Sequence, residues 1–257
     1  MTGKEQGWIR ATTWARSIAD SYALMWWQLR RTALGLAHRQ DLALQVASVI
    51  DPDSKEGKQQ LERLINRAQE QAKADERRNL GSALHSFCEA HDSGREVQVP
   101  PPFDKDLLAY QYATRTIDIS KNYIEQICVV RELGVAGTMD RVVRFKHHPT
   151  PMIADIKTGK DLSDQWTEIV IQLALYAHAD TVWDEEAKQH HRMLPVDPAA
   201  AVVIHLPAGE ARCVIYMVDI AAGWEMALEC KRIREWRARK DLAEIVADWS
   251  VTPEELK

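Results

Sequence analysis

The segment Met152-Ile153-Ala154-Asp155-Ile156-Lys157-Thr158-Gly159 constrains this chain more than any other. It reads as a β-strand, and side chains on a strand alternate between its two faces. Asp155 and Lys157 therefore share one face, with Ala154 and Ile156 on the other. A carboxylate and an ammonium emerge side by side from an otherwise apolar strand. Burying that pair costs several kcal/mol per ion unless geometry or a bound ion compensates. The preceding apolar stretch holds Gly137-Thr138-Met139-Asp140-Arg141, with Asp140 on the face of Thr138 and Val142. If the two strands pair as a meander, Asp140 and Asp155 converge. Two carboxylates that close repel one another unless a cation lies between them. Hard oxygen ligands suit Mg²⁺ or Mn²⁺. Taken alone, Asp155 and Lys157 also fit a structural ion pair on an edge strand, and Asp140 fits a pair with Arg141 or Arg144.

The rest of the chain supplies a helical start and an alternating α/β remainder. Residues 1–50 read as helical, with Trp14, Ile18, Ala19, Tyr22, Met25, Trp26 and Leu29 as a buried stripe at three- and four-residue spacing. Asp51-Pro52-Asp53-Ser54 breaks the chain and offers Asp53 or Ser54 as an N-cap. A long helix is expected over residues 55–92. Pro100-Pro101-Pro102 is a stiff spacer, and residues 104–119 read as a further helix. Strands are expected at 124–131, 135–145 and 152–157, with turns at Leu133-Gly134 and over 147–151. A helix over 163–183, strands at 200–206 and 213–218, and a closing helix from 220 to about 240, capped by Asp219, complete the order. Grouped strands with flanking helices predict an α/β core behind a helical N-terminal region. The division expected is residues 1–100 and residues 101–257, integrated as one domain.

Composition narrows the chemistry. The 257 residues carry a formal charge of −5, with 46% hydrophobic and 28% charged residues, the profile of a globular protein rather than a disordered one. No apolar run approaches the ~20 residues that cross a bilayer, and the N-terminus has no apolar signal core, so a cytoplasmic protein without membrane contact is expected. A mildly acidic chain does not bind DNA by overall charge, so any such contact must be local. Residues 1–50 carry six Lys and Arg against three Asp and Glu, a local excess of +3. The cysteines, Cys88, Cys128, Cys213 and Cys230, form no C-x-x-C pair and are expected to be reduced core thiols. No G-x-x-x-x-G-K-[ST] sequence is present, which argues against an ATP-driven motor.

Four short motifs follow one another in order. Gly81-Ser82-Ala83-Leu84-His85 lies on a helix, and Gly137-Thr138-Met139-Asp140 on a strand. Asp155-Ile156-Lys157-Thr158-Gly159 and, on the next helix, Gln172-Leu173-Ala174-Leu175-Tyr176 come after them. Singly each is weak. Together they resemble the PD-(D/E)XK nuclease superfamily, in particular its RecB-type branch of phage-encoded and CRISPR-adaptation exonucleases. The likeness spans residues 81 to 176. It implies a restriction-endonuclease-like core, a mixed central sheet flanked by helices. It also implies one or two Mg²⁺ or Mn²⁺ ions held by His85, Asp140, Asp155 and the backbone carbonyl of Ile156. Lys157 would be the catalytic lysine, acting with Asp155 and Asp140. Gln172 and Tyr176 would support the site and contact DNA, with Thr158 and Lys160 on the site loop and Glu125 as an additional acid. The implied function is DNA exonuclease activity on single- or double-stranded ends, in phage or bacterial recombination, repair or replication, with a recombination or replication protein as a possible partner. Here the acid before the lysine is Asp155 rather than the commoner glutamate, and the cysteine set of cluster-bearing relatives is missing, so no iron–sulfur cluster is expected.

Competing readings remain at this stage. A histidine such as His85, beside Leu84, Phe87 and Cys88, is more often a core residue than a ligand; Gly81, one turn back on the same face, clears space beside it. His147-His148 and His190-His191 lie near turns and read as solvated, so they are not assigned to a metal. Trp26 and Trp27 with Arg30 and Arg31 fit a stacking and phosphate strip for single strands, but the apolar stripe favours a core position for Trp26. A catalytically silent DNA-binding protein, a structure- or sequence-specific endonuclease and a hydrolase of small phosphoesters are the functional rivals.

Overall fold

A computed structural model describes residues 7–72, 76–185 and 187–246, without the side chains of residues 76–78 and 149. The described residues form a mixed α/β structure, with two five-stranded sheets flanked by helices. It opens with β1 (Ile9–Arg10) and α1 (Ala11–Ala15), then a 3-10 turn at Arg16–Ile18. Four helices follow: α2 (Tyr22–His38), α3 (Gln40–Ala47), α4 (Lys55–Gln71) and α5 (Glu76–Asp92). Next come α6 (Phe103–Thr114), β2 (Ile117–Ile119), β3 (Gln126–Val130), β4 (Val135–Met139), β5 (Arg141–Phe145) and β6 (His148–Lys157). The chain then forms α7 (Trp166–Ala177), β7 (Thr181–Asp184), β8 (Gln189–Arg192), β9 (Ala200–His205), β10 (Val214–Asp219) and α8 (Ala221–Ala238). Among the described residues, no helix is long and apolar enough to cross a membrane.

One sheet has the order β10-β9-β6-β5-β2, the other β1-β4-β3-β7-β8. In the first, β5 and β6 are antiparallel, and β6 runs parallel to β9 with Asp155 opposite Val203 and Lys157 opposite His205. The parallel pair needs a crossover, and α7 lies within it, as in a βαβ unit. Alternation along β6 sorts its side chains between two cores. Met152, Ala154 and Ile156 join Leu84, Cys88, Leu107 and Tyr110 of α5 and α6. Ile153 joins Leu173, Leu175 and Ala227 of α7 and α8, where Trp14 of α1 also packs. The sheet is thus covered by helices on both faces, with β6 at its centre.

Several local expectations hold. Ser54 caps α4, its Oγ accepting the Gly57 N–H at 3.0 Å. Asp219 accepts the Ala221 N–H at 3.0 Å as α8 begins. Gly134 turns the chain between β3 and β4 at φ 65°, a left-handed conformation that glycine adopts at little steric cost. Cys88, Cys128 and Cys230 are buried, and burial pushes the thiol of Cys128 up to about 12.

Other expectations are corrected. The strand over 135–145 is two strands, β4 and β5, which part at Asp140 into different sheets. The helix expected over 163–183 stops at Ala177, and residues from 181 form β7, paired with β8. His190 and His191 lie on β8, exposed to solvent as expected. The helix over 104–119 ends at Thr114, and Ile117–Ile119 pairs with β5. The third strand starts at His148, within the segment read as a turn. Between α4 and α5, residues 73–75 of the expected long helix lie outside the described residues.

The largest correction concerns α2. Trp14 is buried and Ile18 packs against the same core, that of α7 and α8, but Tyr22, Met25, Trp26 and Leu29 are exposed. Helical periodicity identifies a face and not what covers it. What anchors α2 is its C-terminal half: a Cβ on Gly35 would lie 1.8 Å from the Ala68 carbonyl oxygen, so the helix backbones meet there. Gly35→Ala must push α2 off α4. The expected cost is about 1–3 kcal/mol, read as a lower urea midpoint; an unchanged midpoint would contradict this packing.

Candidate metal centre

The site assembles where β4 and β5 part. In the β5–β6 ladder the last regular pair is Arg141 with Ala154. Beyond it the Asp140 side chain replaces the backbone partner: its Oδ2 accepts the Ile156 N–H at 2.7 Å. The Asp140 carbonyl accepts the Glu125 N–H at 2.9 Å, which draws Glu125 in from the start of β3. Glu125 has φ 51°, a left-handed conformation that non-glycine residues adopt at a cost of about 1–3 kcal/mol and that recurs at functional sites.

His85 comes from α5. Its Nε2 lies 2.8 Å from the Ile156 carbonyl oxygen and 3.5 Å from Asp140 Oδ2, and its Nδ1 lies 3.9 Å from Glu125 Oε1. One donor atom each from His85, Glu125 and Asp140 falls within 4.8 Å of the others. The glycine before His85 explains how α5 comes so close. A Cβ on Gly81 would lie 2.4 Å from Thr158 Oγ1 at the end of β6.

Asp155 and Lys157 form the other half. Lys157 Nζ is 2.6 Å from Asp155 Oδ2 and donates to Gln172 Oε1 at 3.5 Å. Gln172 in turn donates to Asp155 Oδ1 at 3.4 Å and to the Tyr176 hydroxyl at 3.1 Å. One turn of α7 thus presents Gln172 and Tyr176 together, as their spacing requires. Tyr176 reaches that place because position 137 is glycine: a Cβ there would lie 2.9 Å from the tyrosine ring and hydroxyl. Asp155 faces Lys157 and is not one of the three grouped residues, His85, Glu125 and Asp140. Lys160 is exposed on the loop beyond the strand.

The electrostatics show a surplus of negative charge. Burial, then the Asp155 carboxylate, push Asp140 up to about 7. Burial disfavours a charged His85, but Glu125, Asp140, the Ile156 carbonyl and Asp155 together outweigh it and push the imidazole up to about 9. Lys157 follows the same pattern: burial opposes its charge, and the adjacent Asp155 raises it nonetheless. A cluster that holds its protons this firmly attracts cations. Imidazole, carboxylate and carbonyl donors together suit a small divalent ion.

Sequence reasoning missed the brace behind this cluster. Arg141 does not pair with Asp140. Its side chain and that of Asp92 are 0% and 1% exposed, and its Nε donates to Asp92 Oδ2. The Tyr110 hydroxyl donates to the same carboxylate oxygen at 2.7 Å. The Arg141 NH1 lies 3.9 Å from Glu125 Oε1, and neither terminal guanidinium nitrogen has a hydrogen-bond partner among the described residues. The only local signal was the placement of Asp92 seven residues after His85 on one face of α5.

No protein-family model matches the chain, and the comparison with curated proteins gives no match.

Removing Arg141 leaves the Asp92 carboxylate buried without a counter-charge. Arg141→Met should therefore cost about 3–5 kcal/mol in urea unfolding, and adding Asp92→Leu should recover most of it. A loss below about 1 kcal/mol in the single variant would contradict the brace.

Proposed function

We propose that this chain is a Mg²⁺- or Mn²⁺-dependent DNA exonuclease with a PD-(D/E)XK core of the RecB type. The observation that carries the reading is convergence at one end of β6. His85, Glu125, Asp140, the Ile156 carbonyl and the Asp155–Lys157 pair come from four separate segments and meet there. The order of the four motifs supports it. So do the two motif glycines, Gly81 and Gly137, each of which makes room for a neighbouring motif residue, Thr158 and Tyr176.

His85, Asp140, Asp155 and the Ile156 carbonyl would hold the ion, with Glu125 as an additional acid. A bound divalent ion supplies charge neutralisation at a phosphodiester and a water of lowered pKa. The side chains do the remaining work. Lys157, kept protonated by Asp155, donates rather than accepts: it orients the attacking water and stabilises the negative charge that develops on phosphate oxygen. Gln172 keeps the Asp155 carboxylate and the Lys157 ammonium in register by bonding to both. Thr158 and Lys160, just beyond the strand, lie where a substrate backbone passes the site.

End-labelled linear DNA, single- and double-stranded, and closed circular DNA should be incubated with purified protein and Mn²⁺. Progressive loss from ends with circles spared is the expected result. Lys157→Ala should lower the rate about 10²–10⁴-fold without loss of folding. No degradation of any DNA, or a Lys157→Ala protein as active as the wild type, would sink the reading. Discrete fragments from circles would convert it to an endonuclease.

A further inference from the structure

The helix α2 has a surface that the site described above does not use. Every residue from Tyr22 to Arg30 is exposed, and among the described residues the side-chain bonds of α2 to α4 and its C-cap come from Arg31, to the Ala72 carbonyl, and Thr32, from Gln69. Tyr22, Met25, Trp26, Leu29 and Arg30 recur at helical spacing along one side. Tyr22 and Trp26 meet edge to face with ring centroids 6.2 Å apart, and the Arg31 guanidinium lies 5.5 Å from the centre of the Trp27 ring. The helix has no aspartate or glutamate, in a chain whose formal charge is −5. Aromatic planes next to guanidinium groups, with no acid between them, fit an anionic partner that offers flat rings. Stacked bases on a phosphate backbone answer both requirements, whereas duplex DNA hides its base faces.

Position in the chain supports the same partner. The segment just before α2 borders the Lys157 side of the site: Thr12, Arg16, Lys157, Gln165, Glu168 and Gln172 line one pocket. The segment after α4 borders the other side, through Gly81 against Thr158 and His85 against Ile156. Arg31 ties α2 to the end of α4 through the Ala72 carbonyl at 3.3 Å. The unit α2 to α4 is thus inserted between the two segments that flank the end of β6. We infer that α2 is a stacking surface for single-stranded DNA, with Tyr22 and Trp26 holding bases and Arg30 a phosphate, and that it delivers single strands to the site. This inference rests on the nuclease reading for its destination but not for the binding itself.

The test is binding in EDTA, where no cleavage intervenes. A fluorescein-labelled oligothymidylate of roughly 20 nucleotides and a hairpin duplex serve as probes, read by anisotropy across a salt series. Tyr22→Ala/Trp26→Ala should weaken oligothymidylate binding about tenfold or more and leave hairpin binding unchanged. Trp26→Phe, which keeps a stacking plane, should retain most of the affinity. Arg30→Gln should reduce the slope of log affinity against log salt by about 0.7. Equal oligothymidylate affinity in the wild type and the double alanine variant would overturn the inference. So would a variant that instead loses binding to phosphatidylglycerol vesicles or loses self-association in sedimentation. Oligothymidylate binding that depends on α2 without any metal-dependent cleavage would sink the nuclease reading and leave this one standing.

Discussion

The bond from the Ile156 N–H to the Asp140 carboxylate is the point on which this molecule turns. At Asp140 the chain leaves one sheet and enters the other, so the β5–β6 ladder runs out of backbone partners just before the strand end. A buried N–H left open there would cost about 1–3 kcal/mol. The Asp140 side chain fills the gap, and in doing so a carboxylate becomes fixed beside the Ile156 carbonyl, His85 and Glu125. The same bond that closes the ladder therefore builds the acidic cluster. Fold and site share one side chain.

That cluster is held between cationic groups. Lys157 balances Asp155 on the α7 side, His85 stands opposite on α5, and Arg141 lies behind with Asp92 and Tyr110. Of these groups only His85 reaches both Asp140 and Glu125, through its two ring nitrogens. Lys157 pairs with Asp155, and Arg141 bonds Asp92 while its NH1 lies 3.9 Å from Glu125 Oε1. Burial first and then the neighbouring Asp155 carboxylate raise Asp140, and the surrounding acids raise His85 against its burial. Proximity of like charges in a buried place is costly, and it persists here because the strands, α5 and the Arg141 brace over-determine the positions.

What was legible in the sequence was what local chemistry announces. Alternation through residues 152–157 placed Asp155 and Lys157 together, and they form an ion pair at 2.6 Å. Ser54 was readable as a cap and Gly134 as a turn, whereas α8 takes Ile220 as its N-cap, with Asp219 one residue before it accepting the Ala221 N–H. The spacing of Gln172 and Tyr176 placed them on one face, where they hydrogen-bond. What escaped depends on distant partners. Nothing in the pattern of residues 135–145 marks the split at Asp140, because both halves alternate alike. The β7–β8 hairpin was hidden by helical spacing that runs past Ala177. The stripe from Tyr22 to Leu29 was correctly periodic yet is uncovered, since periodicity is silent about neighbours. The Asp92–Arg141 pair joins residues 49 apart, and no local pattern names Arg141 as the partner of Asp92.

The most direct test of the proposed metal centre is anomalous diffraction from crystals soaked in Mn²⁺. Ligation by these groups requires a peak about 2.0–2.3 Å from oxygens of Asp140 and Asp155, from the Ile156 carbonyl and from His85 Nε2. A peak elsewhere, or none at these four groups under saturating Mn²⁺, would contradict a metal centre at the end of β6.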